Sequence, residues 1–126
     1  MKWGKFNHTN MITENEACRI VQEQLPEISG ALPPEGDIYG TINVVQEFAC
    51  QKAREHNYSR LQQCFSLAES LHEKGSSSVR CAVENVFVYS LSRLFTIVPE
   101  EKNHIKALIP QSLQSLYVNQ VLHHGY

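Results

Sequence analysis

The side chains able to do chemistry in this chain are His8, His56, His72, His104, His123 and His124, the thiols Cys18, Cys50, Cys64 and Cys81, and a few neighbouring carboxylates. Two histidines grip a metal from one helix when they stand one turn apart, and two thiols when they form a Cys-x-x-Cys knuckle. Neither spacing occurs. His123 and His124 are adjacent, so on a helix they diverge by about 100°. Near a helix end they favour the negative pole of the dipole instead. Cys64 and His72 lie eight residues apart on one expected helix, a rise of about 12 Å, and cannot hydrogen-bond within it. No Gly-x-Ser-x-Gly elbow and no glycine-rich phosphate loop appears. Glu100 and Glu101 stand side by side at an expected helix start, where the dipole accounts for them. Glu69 and Glu73 are one turn apart and read as two carboxylates on a solvated face. The expectation is therefore no catalytic residue, no metal and no cofactor.

One polar feature stands out from its surroundings. Asn85 and Tyr89 sit at i and i+4 in the greasiest part of the chain. A buried asparagine needs partners for its amide, and a buried tyrosine seeks one for its hydroxyl. Either the pair satisfies itself between helices, or it forms a polar patch in a groove that receives a peptide or small ligand. Asn85 and Tyr89 are thus the candidate binding residues.

Several amphipathic helices must position these groups. Residues 1–12 form an irregular N-terminal arm, with Trp3 and Phe6 apolar enough to pack back onto the body. Thr13-Glu14-Asn15-Glu16 is a capping box, and Ala17, Ile20, Val21 and Leu25 succeed it at helical spacing. Pro26 ends that helix. Residues 26–37, with three prolines and two glycines, read as a long loop, and a loop of that length is either functional or holds a hidden element. Asp37 caps a helix from Ile38 to about His56. Asn57 or Ser59 opens the next, whose inward face carries Leu61, Cys64, Phe65, Ala68 and Leu71. Gly75 is expected to end it in a left-handed conformation, and Ser76 to Ser78 supply the cap of the fourth helix. Val79–Phe95 reads as one continuous helix, apolar around most of its circumference, and so one that its neighbours must cover. Pro99 starts a helix through Ile109, and Pro110 breaks it and starts the last, with Leu113, Leu116, Tyr117 and Val121 in register.

The sum is an all-α single domain spanning 1–126. It has about six helices stacked as antiparallel α-hairpins, in an irregular bundle or a short repeat-like array. No residue signature recurs between hairpins.

Composition limits the partners. Hydrophobic residues make up 42% of the chain and net charge is only −2, which excludes global disorder. Lys plus Arg total 11 against 13 acidic residues. The densest basic group, Lys52, Arg54 and Arg60, is no stripe for tracking phosphates, so nucleic acid is not an expected partner. No apolar run is long enough to span a bilayer, and no targeting segment is visible. The four cysteines, with no compact disulfide spacing, read as reduced core residues in a cytoplasmic protein.

Cys64-Phe65-Ser66-Leu67-Ala68-Glu69, the Gly75 turn, Ala82 through Ser90 with its Asn85-Val86-Phe87, and Leu116-Tyr117 together resemble a family of small bacterial all-helical proteins, a domain of unknown function. The resemblance covers about half the chain. It implies a bacterial origin and a helical fold, and it transfers no catalytic role. By analogy, some small acidic-leaning helical proteins neutralise toxins. The functional expectation is a non-enzymatic protein-binding module of immunity or adaptor type, its partner another protein. The rival is a small-molecule-binding protein or enzyme using an interhelical pocket near Asn85 and Tyr89. A helix-turn-helix DNA binder is disfavoured by charge.

Overall fold

The computed structural model describes residues 11–124. Of the expected N-terminal arm, residues 1–10 with Trp3 and Phe6 lie outside them, as does Gly125 beyond the last helix. Every described element is helical, and among the described residues no strand forms beyond a single bridge between Ile12 and Gly75.

Helix α1, Glu14–Gln24, starts at the capping box: Thr13 N donates to Glu16 Oε1 at 2.9 Å and Glu16 N to Thr13 Oγ1 at 3.2 Å. It turns Ala17, Cys18 and Val21 inward. The segment expected to be a plain loop holds a 3-10 turn, Pro26–Ala31, which Pro26 starts and whose Ile28 is buried. Helix α2, Ile38–Arg54, is capped by Asp37, whose carboxylate accepts from Gly40 N at 2.9 Å. It ends where His56 takes a left-handed φ of 58° and Asn57 N donates back to Lys52 O at 2.9 Å. That tight reversal lets α3, Tyr58–Lys74, begin at once under its Asn57 cap and fold back along α2 as a hairpin.

Gly75 does not adopt the expected left-handed conformation. Its backbone is extended, with φ −80° and ψ 159°. Glycine serves close packing here: a Cβ would stand 2.3 Å from Leu71 O and 2.6 Å from Val79 Cγ1. Ile12 docks beside it, its N donating to Lys74 O at 2.9 Å and its O accepting from Ser76 N at 2.8 Å.

The expected continuous helix Val79–Phe95 is broken. It consists of α4, Ser77–Ala82, then a π-wound segment, Val83–Val88, and after a turn at Tyr89 and Ser90, α5, Leu91–Ile97. A 3-10 turn, Pro99–Glu101, leads into α6, Lys102–Leu108, and α7, Gln111–His124, comes after Pro110. The six expected helices are therefore present in order, the fourth split in two.

The fold class is all-α. The centre is shared between α2, which packs on α1, α3, α4, the π segment and α5, and the broken rod. Val79, Ala82, Val83, Phe87, Val88, Leu91 and Leu94 of that rod are buried. Phe87 meets Phe65 of α3 edge to face, with ring centroids 6.1 Å apart at 87°. Burying each such ring contributes roughly 1.5–3 kcal/mol. Cys18, Cys50 and Cys64 are buried free thiols, while Cys81, expected in the core, is exposed on the flank of α4. Among the described residues no single helix is long and apolar enough to cross a membrane.

Candidate functional site

Asn85 and Tyr89 are brought to one face, but that face points outward. Asn85 is exposed, and Tyr89 is 67% exposed. The expectation of an interior polar pair is corrected on this point. The π winding and the turn after it give the inward positions to Val83, Phe87, Val88 and Leu91, and the polar residues between them take the solvent side. Both side chains stand on the solvent side and not inside the core.

Their surroundings are nonetheless organised. Asn85 Nδ2 donates to the Tyr39 hydroxyl at 3.1 Å. Tyr39 comes from the first turn of α2, just after the Asp37 cap, and is itself 44% exposed. One exposed tyrosine thus holds the amide of the asparagine, and a second stands four residues further along the chain. Tyrosine supplies a large, rigid surface with an apolar ring and a polar tip, and it is enriched where proteins bind proteins. π-wound turns inside helices occur frequently at functional sites. Tyr39 escapes a reading of the sequence because only the fold brings it to Asn85, 46 positions away.

The titratable groups are mostly engaged with one another. His72 Nε2 lies 2.6 Å from Glu84 Oε2, tying α3 to the π segment. The Tyr58 hydroxyl donates to Glu101 Oε1 at 2.5 Å, with His56 Nδ1 3.1 Å from the same hydroxyl and the His104 ring 4.2 Å from the tyrosine ring. The hydrogen bond to Glu101 pushes the Tyr58 hydroxyl up to about 12, which makes it a poor proton donor or nucleophile near neutrality. Burial pushes the Cys64 thiol up to about 12 and raises Cys50 as well, so neither is a reactive thiolate. Of the paired carboxylates, Glu69 accepts from Ser112 Oγ at 2.8 Å and Glu101 is taken by Tyr58. Among the described residues no group of His, Cys, Asp and Glu is arranged to hold a metal ion.

Two members of the basic group, Lys52 and Arg60, are likewise committed. Lys52 pairs with Glu55 at 2.9 Å, Arg60 pairs with Glu27, and both cations lie over the Phe48 ring. A crevice of about 310 Å³ lies between α1, the proline-rich segment and α2. At its base the Cys18 thiol and Thr41 hydroxyl are 3.3 Å apart, and Glu35 at its rim pairs with Arg19. It is open and mostly polar, unlike the enclosed, largely apolar pockets that hold small molecules.

The chain belongs to the family of the domain of unknown function DUF7674, which it matches over residues 18–124. No curated protein and no solved structure matches it.

Proposed function

We propose that this domain is a non-enzymatic protein-binding module of immunity or adaptor type that works in the bacterial cytoplasm. Its contact surface is centred on Tyr39, Asn85 and Tyr89. The observation that carries the reading is the exposure of two tyrosines, 44% and 67%, one hydrogen-bonded to Asn85 and the other four residues beyond it in the chain. Water gains little from such a surface, whereas a partner that covers it gains rigid aromatic area at small entropic cost. Three buried, unpaired thiols suit a reducing compartment.

The test compares wild type with Tyr89→Arg and with a Tyr39→Ser/Asn85→Ser double variant, all matched for melting temperature. Each is immobilised and exposed to native lysate. A protein retained by wild type is then purified and its affinity measured directly. The reading expects both variants to weaken that affinity at least about tenfold, or roughly 1.4 kcal/mol. Equal affinity for all three removes this surface from the function, and turnover of a small molecule by the wild type overturns the non-enzymatic reading.

A further inference from the structure

Three helices converge on one dipeptide of the π segment. His72 Nε2 of α3 lies 2.6 Å from the Glu84 carboxylate. The Tyr39 hydroxyl of α2 accepts from Asn85 Nδ2 at 3.1 Å. Gln120 Nε2 of α7 donates to the Glu84 carbonyl oxygen at 2.8 Å. That oxygen belongs to the same planar peptide group as the Asn85 N–H. Gln120 therefore holds one end of the plane whose other end carries Asn85. Turning the plane tips the Asn85 Cα and moves its side chain relative to Tyr39.

The helix that supplies Gln120 is lightly held. Of residues 111–121, whose side chains are described, Leu113 alone is buried, whereas α2 buries residues from Ile38 to Ala53. Leu116 and Tyr117 lean on the core, with Tyr117 meeting Phe95 edge to face at 5.9 Å, and Ser112 Oγ donates to Glu69 at 2.8 Å. The backbone of α7 packs chiefly on the π segment. An element with so few buried side chains opens at lower free energy than the whole chain unfolds.

We infer that α7 is a latch on the contact surface: docked, it fixes the Glu84–Asn85 peptide in the orientation that pairs Asn85 with Tyr39, and undocked, it releases that pairing. The buried side of the segment, Val83, Phe87 and Val88, is held by α2 and α3, so the latch moves the polar face and leaves the core in place. Linkage is reciprocal, so the Tyr39 hydrogen bond favours docking of α7 by as much as docking favours the bond. The regulatory sense rests on the contact surface proposed above, while the linkage of α7 to Tyr39 rests on these hydrogen bonds alone.

Amide hydrogen exchange on the full chain, resolved by NMR, tests the linkage. Tyr39→Phe keeps the ring and removes the hydroxyl that Asn85 reaches. It should speed exchange of the α7 amides of residues 114–121 at least about fivefold, the lower end of ordinary coupling between sites. In the reverse direction Gln120→Met keeps the length and loses the donor, and should shift the Asn85 side-chain amide resonance toward that of a solvated asparagine. Thr13→Ala is the control, because the Thr13 bonds stay within its own capping box. It should lower overall stability and leave both readouts at their wild-type values. Unchanged α7 exchange in Tyr39→Phe, an unmoved Asn85 resonance in Gln120→Met, or equal effects from Thr13→Ala overturns the inference. No partner enters the measurement, so failure of the latch and failure of the contact surface are read apart.

Discussion

Helix α2 and the rod from Ser77 to Ile97 are the two central elements, similar in length and burial, yet one is a plain α-helix and the other is broken by a π turn. They differ in how far an apolar series steps by four along each. Along α2 the buried series Ile38, Ile42, Val45, Ala49 and Ala53 mixes steps of three and four. At 100° per residue its ends differ in direction by about 60°, within the width of an apolar stripe. Along the rod the apolar series Val79, Val83, Phe87, Leu91 and Phe95 steps by four from end to end, whereas the four-step series of α2, Ile38, Ile42, Gln46 and Cys50, stops short and includes a polar residue. In an α-helix the rod's series drifts about 160° from end to end, which would turn Phe95 away from the side Val79 occupies. A π turn, with its i→i+5 closure, takes up the surplus residue and winds the series back. Backbone winding obeys the repeat that burial demands.

The sharpest way to break this comparison is to delete one exposed residue from each element. Removing Asn43 rotates Val45, Ala49 and Ala53 by about 100° from the core. The expected loss is at least ~4 kcal/mol, enough to abolish cooperative unfolding in a urea titration. Removing Asn85 turns the rod's spacing into the mixed steps of α2. The π segment should rewind as α-helix at a cost below ~2 kcal/mol, with the near-ultraviolet signature of tertiary packing retained. Equal damage from the two deletions would refute the spacing account.

Gly75→Ala probes the entry to the rod. Its Cβ collides with backbone and with Val79, so a loss of about 2–3 kcal/mol is expected by chemical denaturation. A left-handed role for this glycine would instead be relieved by Asn, so Gly75→Asn should be no better than Gly75→Ala. The caps differ too. Asp37 accepts from Gly40 N at 2.9 Å, whereas Ser76 accepts from Val79 N at 3.5 Å. Asp37→Ala should therefore cost about 1 kcal/mol and Ser76→Ala less. The smallest effect joins the two elements. Arg93 NH1 of α5 lies 3.1 Å from Glu47 Oε2 of α2, and that hydrogen bond lowers the Glu47 carboxyl below its ordinary value. A carboxyl depressed on folding contributes stability above the unfolded-state value, about 4.3 for glutamate, and loses it as pH falls through the depressed one. Glu47→Gln should remove that acid dependence and no more than about 1 kcal/mol, since both groups are half exposed and screened by salt.

Local signals in the sequence located most of the fold. The Thr13 and Glu16 box, Pro26, Asp37, Asn57 and Pro110 mark helix boundaries because caps and prolines act on their own neighbours. The apolar stripes identify the core for the same reason. The features that escaped needed tertiary knowledge. The four-residue repeat is plain from Val79 to Phe95, but whether the chain or the packing gives way is settled by its surroundings. The packing role of Gly75 depends on Leu71 and Val79 closing over it. At the candidate site, Asn85 and Tyr89 are recognisable as polar residues out of place. Their outward direction depends on the π turn, and their companion Tyr39 belongs to another helix.

Ile12 lies ahead of the first helix, yet it is 2% exposed and hydrogen-bonded on both sides to the joint between α3 and α4. The stretch shared with the family opens only at residue 18. A fragment excised at that boundary would forfeit the wedge that closes this joint, together with the Thr13 cap and buried Ala17. The unit that folds is thus wider than the unit that is shared, and any transplant of this domain into a fusion must carry its amino-terminal strap.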